Sequence, residues 1–387
     1  MNIKQCVCGR LLPVAIAAFS LVLGWHESAV AGKPPVVTAK PIDYNIQYFT
    51  APNGGAVSHF EDMNSSGAVV GNYYTDSSHV SGYLYDPFRS VTTAVDLHSL
   101  ATLPSGWYIT YPRGINNAGA IVATVWHATL GERAMLLDPN GPKDANGKWI
   151  AAWLPDLPAS IATMPRRIND HGDILLCAVF STTAGEYVPY VCNPGIYSPT
   201  DAFDAMELGF NIADMMNIDM SFPVAGQPLT FAGVCSGGAA SFRYTLGGTL
   251  ETFSMQNVNV FSINGYGTFC GRQTISTIGK GGRTTLSSQT FRLDSAITSV
   301  GTTGKYALDI NNSNDIAANS KFLIHNEKGT LDLNTLVIGT AADVNYFKGS
   351  YSFESLLTER SGNGFPVMGL KVGDLGCILV PSVPLQP

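Results

Sequence analysis

Charge is what this sequence has least of: 13% of its 387 residues are charged, with Lys+Arg 22 against Asp+Glu 29 and a formal net charge of -7. Without a basic excess there is no global surface to neutralise phosphates, so a nucleic-acid partner is not expected. Disorder is excluded too, because 45% of the residues are hydrophobic and a chain this apolar and weakly charged can bury a large core. No run approaches the ~18 apolar residues of a membrane-spanning helix, which leaves no transmembrane anchor.

Catalytic and metal signatures are equally scarce. Gly233, Ser236 and Gly237 miss the register of a nucleophile elbow by one residue, and no His-Glu-x-x-His occurs. The segment 301–306 lacks the spacing and hydroxyl of a phosphate loop, and no dinucleotide fingerprint opens a helix. His59, His79, His98, His127, His171 and His325 are scattered without ligand spacing, and no Cys-x-x-Cys is present. Segment 138–147 has half of a calcium loop, without its alternating ligands and terminal Glu, and an Asn-Gly hairpin turn explains it better. No metal and no cofactor are expected.

What is present starts at the N-terminus. Lys4 and Arg10 precede an apolar run over 11–24, and Ala29-Val30-Ala31 forms a small-x-small site. Residues 1–31 therefore read as a secretory signal peptide cleaved between Ala31 and Gly32, with 32–43 a linker. This predicts a secreted or periplasmic protein. Five cysteines follow the cleavage site, an odd number. Cys177 and Cys192 flank a short polar loop, 181–186, and a hairpin there would make them neighbours, so a disulfide between them is one candidate. The alternative is that all five are small buried apolar residues, the preferred reading for Cys235, Cys270 and Cys377.

The 40 glycines follow a pattern. Asn64 and Gly67, Asn116 and Gly119, Asn169 and Gly172, Asn264 and Gly267, and Asn311 and Asn314 recur with an apolar residue before and a short apolar run after. An Asn that caps its own backbone, followed by a residue tolerant of positive φ, marks a tight turn between two strands. Third strands open on Tyr83, Met135, Tyr190, Phe242, Phe291, Phe322 and Cys377, seven in all, with the turn degenerate in the fourth and seventh units. A fourth follows the first six. The seventh lacks one, and the orphan strand 44–49 at the other end supplies it. Units of about 49 residues with four short strands match propeller blades. The expectation is an all-β propeller over 44–387, seven-bladed with six as the alternative, closed by pairing of the N-terminal strand with the last blade. Helix content should be very low. A sandwich or two-domain β protein is the competing architecture.

Ile115-Asn116-Asn117-Ala118-Gly119, Ile310-Asn311-Asn312 and Leu331-Asp332-Leu333-Asn334 resemble the HAF family of extracellular repeats, and the resemblance spans 44–381. No copy carries His-Ala-Phe itself; Ala134-Met135 is nearest. The resemblance implies a propeller-like, exported protein and no particular chemistry.

Propellers bind where their blades converge, and the loops between second and third strands together with the segments leading into each blade form the expected face. Trp107, Tyr111, Arg113, Arg166, Arg167 and Arg283 lie there, a mixture of aromatic and guanidinium groups suited to a sugar ring or an acidic polymer. Asp62, Arg167 and Asp309 hold one place before the Asn turn, where they either line a channel or pair between blades. The resulting expectation is a monomeric, non-enzymatic binding module for an extracellular polymer or protein. The alternative is a hydrolase or lyase acting on carbohydrate at the propeller axis.

Overall fold

The computed structural model describes residues 42–87, 92–180, 187–192, 205–208, 212, 218–221, 223–234, 240–253, 258–278, 283–294, 297–300, 306–352, 354–360 and 363–382. The segment 1–31 read as a signal peptide, with the expected Ala31–Gly32 junction, the loop 181–186 and Cys235 lie outside them.

The protein is an all-β propeller. Its strands form antiparallel sheets in chain order, six of them with four strands each. The first strands of these are Val57–Met63, Trp107–Ile115, Ala162–Ile168, Ile218–Met220, Val258–Ile263 and Ala307–Ile310. A seventh sheet starts at Ser355–Arg360, continues through Pro366–Val372 and Leu375–Pro381, and takes Tyr44–Phe49 from the N-terminal side. Tyr44–Phe49 runs antiparallel to Leu375–Pro381, with Tyr44 opposite Pro381 and Phe49 opposite Gly376.

Strands such as Val69–Tyr74 and Ile174–Val179 are buried on both faces, because each sheet packs against one neighbour with its even rows and another with its odd rows. Ile174, Leu176 and Ala178 meet the second sheet, whereas Leu175 and Cys177 meet the fourth. Seven apolar clusters result. One of them joins Ile378 of the seventh sheet to Val57, Val69 and Tyr83 of the first.

That alternation removes the proposed disulfide. Cys177 stands opposite Pro189 and Cys192 opposite Ile174, three rows apart, so the two thiols point to opposite faces of their hairpin. They are buried in different clusters, as small apolar residues; Cys270 and Cys377 are buried likewise. Alkylation in denaturant without reductant is expected to label both Cys177 and Cys192. A bridged, unlabelled peptide pair in the mass spectrum would contradict this.

A helix the sequence did not announce, Ala341–Gly349, precedes the seventh sheet. Thr340 caps it by accepting from the Asp343 N–H, and only Phe347 among its side chains is buried, too short an apolar stripe to read from sequence. The helix shields the outer edge of the closing strand: the Tyr48 hydroxyl donates to the Asp343 carbonyl at 3.0 Å, and Val337–Ile338 pairs in parallel with Tyr44 and Asn45. The buried Lys321 ammonium donates to the carbonyls of Phe347 and Ser350, satisfying the helix C-terminus. Among the described residues no helix is long and apolar enough to cross a membrane.

Candidate axial recess

The recurring Asn turns bring the site together. Asn64 Oδ1 accepts from the N–H of Ser66 and Ala68 at 3.1 and 3.0 Å, and Gly67 takes φ +81° to close the turn. Asn116, Asn169, Asn264 and Asn311 repeat the arrangement, with Asn314 at φ 61° where the others use glycine. The amide nitrogens then link sheet to sheet. Asn64 donates to the Asn116 carbonyl at 3.2 Å, Asn116 to that of Asn169 at 3.3 Å, Asn264 to that of Asn311 at 3.0 Å and Asn311 to that of Thr358 at 3.1 Å. The fourth sheet has no Asn turn, and Asn169 donates to Asp173 instead. Pro223 and Val224 fill that gap in the wall.

One residue further on, side chains make a second row of links. Asn117 accepts from the Ser65 N–H at 2.7 Å, Asp170 from the Asn117 N–H at 2.8 Å, Asn312 from the Gly265 N–H at 2.6 Å and Glu359 from the Asn312 N–H at 2.9 Å. These two rows of links border a recess of about 190 Å³ whose lining includes Asp170, His171, Glu359, Asp309 and Arg167.

Its floor is ionic. In the first, second, third, fifth and sixth sheets a bulge in the inner strand leaves Glu61, Arg113, Arg166, Phe261 and Leu308 without a cross-strand partner, and in the first, third and sixth it re-aims Asp62, Arg167 and Asp309. Arg167 thereby reaches to 3.5 Å from Asp62 and 3.6 Å from Asp219, and it interacts electrostatically with Asp309. Gly114 occupies the same position in the second sheet, where a Cβ would come within 2.9 Å of the Ile168 nitrogen and 3.1 Å of the Arg167 Cα. Each carboxylate also accepts from the next sheet: Asp62 from the Ile115 N–H at 2.9 Å, Asp219 from Ile263 at 3.3 Å and Asp309 from Leu357 at 2.9 Å. Of the three residues read as lining a channel or pairing between blades, all pair between sheets, and Arg167 and Asp309 also line the recess.

One guanidinium against three carboxylates leaves excess negative charge in a desolvated place. Burial pushes the Asp62 carboxyl up to about 6 and Asp309 also upward, each against the pull of Arg167. Burial opposes the charge of Arg167 as well, but Asp219 and Asp62 outweigh it and hold the group above its ordinary value. At the rim, burial raises Glu359, with Asp309 and Asp315 adding to the effect.

A raised native carboxyl keeps its proton where the unfolded chain has lost it, so stability falls as pH rises between about 4 and 6. Asp315 acts oppositely: burial alone would raise it, but Arg360 overrides burial and holds it low, and its contribution is lost only below about pH 4. The free energy of urea unfolding is therefore expected to be higher at pH 5 than at pH 7, by about 1 kcal/mol from Asp62. Asp62→Asn should remove most of the difference. A midpoint that falls on acidification from pH 7 to 5 would overturn the assignment.

Of the six residues the sequence singled out, only Arg167 reaches the recess, which opens at the first-to-second-strand turns, the end opposite the expected face. Trp107 is buried against His127 and Trp153. Tyr111 lies under the Arg113 guanidinium at 4.7 Å, and Arg113 is paired with Glu61 at 2.9 Å. Arg166 donates to the Ile218 carbonyl, a strut between the third and fourth sheets. Arg283 is exposed beside Thr284, at the outer end of the hairpin formed by Phe269–Ile278 and Thr284–Leu293. The rim residues Asn117, Asp170, His171, Asn312 and Glu359 were not anticipated. Their signal was positional, one or two residues after each turn asparagine or its counterpart Thr358.

No known family profile and no curated protein sequence matches the chain. Among solved structures it is similar to a streptogramin B lyase, at 12% identity over 88% of this chain and 98% of that one, with a TM-score of 0.47. It is also similar to the β-propeller domain of the Trilobed protease from Pyrococcus furiosus, at 9% identity over 72% of this chain and 85% of that one, with a TM-score of 0.45. For virginiamycin B lyase from Staphylococcus aureus the figures are 11%, 90%, 97% and 0.43. At such identities the likeness is one of strand arrangement.

Proposed function

We propose that this chain is an exported propeller of the HAF-repeat kind that binds a polymer or protein outside the cytoplasmic membrane without transforming it. The observation that carries the reading is the fixed state of the recess carboxylates. Asp309, Asp170 and Glu359 each accept a backbone N–H, which holds their carboxyl groups in place as hydrogen-bond acceptors toward the recess. Among the described residues, the one hydroxyl hydrogen-bonded to an axial carboxylate is that of Ser262 on Asp309, and Ser262 is 2% exposed. An acceptor-rich recess of this size suits a donor group, a hydroxyl or an ammonium, of a larger ligand.

The test combines binding and turnover. Purified protein is incubated with a panel of extracellular polysaccharides and secreted proteins, reading retention together with reducing ends and unsaturated products. Retention without products, weakened by Glu359→Gln and Asp170→Asn, is the expected result. Products from any polysaccharide would overturn it in favour of an axial hydrolase or lyase. N-terminal sequencing of the secreted or periplasmic protein should start at Gly32, and a start at Met1 counts against export.

A further inference from the structure

The end of the propeller opposite the recess carries exposed apolar side chains on its first three sheets: Tyr74, Tyr108, Trp126, Leu130, Ile161 and Phe180. Two of them stand in an ordered row. Tyr108 is directly opposite Trp126 across the first and second strands of the second sheet, and Trp126 is directly opposite Glu132 on the third. Directly opposed residues share a face, so ring, ring and carboxylate follow one another at strand spacing, about 10 Å end to end. Tyr108 is 55% and Trp126 41% exposed, and Glu132 is partly exposed.

The Tyr108 end of the row is supported by His98. His98 lies 6.0 Å from the Tyr108 ring, and it is itself fixed, accepting the Ile109 N–H at Nε2 and meeting the Ser81 hydroxyl through Nδ1. An exposed ring held by such a contact loses little entropy when a ligand covers it. Charge narrows the ligand. The nearest cation along the sheet, Arg133, is taken up by Asp156 at 3.1 Å and by the Ile161 carbonyl at 2.8 Å, leaving Glu132 as the ionic group of the row. A carboxylate beside two separate rings repels an acidic polymer and accepts hydrogen bonds from hydroxyl groups, while the rings offer apolar faces to C–H groups.

From this juxtaposition we infer that Tyr108, Trp126 and Glu132 form a binding platform for a neutral hexose polymer, two sugar rings stacking on the aromatics and a hydroxyl donating to the carboxylate. The inference goes beyond the recess and shares with the reading above only the claim that the chain is a binder.

The full chain is titrated with cellohexaose, maltohexaose and polygalacturonate, following indole fluorescence and calorimetry. At least one neutral hexasaccharide should bind and perturb indole emission. Trp126→Ala should weaken it about tenfold or more, Tyr108→Ala similarly, and Trp126→Phe should keep most of the affinity, with melting curves unchanged because both side chains are exposed. Binding of polygalacturonate alone, of no hexasaccharide, or of a hexasaccharide indifferent to Trp126→Ala overturns the platform. If binding instead responds only to Glu359→Gln, the platform fails and the binding reading stands; cleavage of the sugar defeats that reading.

Discussion

Replacing Arg167 by methionine is expected to destabilise the protein by about 3–5 kcal/mol, the cost of leaving buried charges without their counter-ion. Asp62, Asp219 and Asp309 are 1%, 0% and 5% exposed, so none can turn to water when the guanidinium is gone. Methionine keeps much of the volume of the side chain, which confines the loss to charge. The check is urea unfolding of the single variant and of Arg167→Met combined with Asp219→Asn. The second change should restore part of the lost stability, since it removes one uncompensated carboxylate. A loss below about 1 kcal/mol would place Arg167 among ordinary surface pairs.

The second large effect concerns the closing strand. Phe49 is buried, its ring 3.8 Å from that of Tyr85 and nearly parallel to it, with Phe60 stacked at 5.7 Å. It sits on Gly376, where an added Cβ would fall 2.1 Å from the ring. Phe49→Ala should therefore cost about 3–5 kcal/mol, and Gly376→Ala should be costly because no side chain fits beneath the ring. In the Phe49→Ala background the same glycine substitution should become close to neutral, the space having been vacated. Equal costs of Gly376→Ala in both backgrounds, measured by denaturant unfolding, would show that the ring is not seated there.

These two sites differ in how far the sequence reveals them. The Asn turns were legible because their chemistry is local: an Asx cap and a positive-φ residue at fixed spacing specify a turn wherever they occur. Tyr44–Phe49 was legible as an unpaired strand next to a repeat lacking its fourth. The helix Ala341–Gly349 was not, because a single buried phenylalanine anchors it. The disulfide expectation failed on parity, since three rows separate Cys177 from Cys192 and an odd offset puts side chains on opposite faces. Trp107, Tyr111, Arg113 and Arg166 were sound as residue types, but Arg113 and Arg166 are committed to neighbouring sheets and Trp107 and Tyr111 to partners within their own, and nothing local announces that.

The sequence by itself determined the strand-turn-strand units, their number of third strands, and the identity of the residue placed before each turn. Those properties follow from backbone chemistry over a few residues. Only the tertiary structure decided that Asp62, Arg167, Asp219 and Asp309, as far apart as 247 positions (309 - 62), meet at one axis. It also decided that the recess opens on the turn side and that Tyr108, Trp126 and Glu132 align across three strands. The physical reason is that bulges, register and packing between sheets aim each side chain, and these depend on which segments become neighbours.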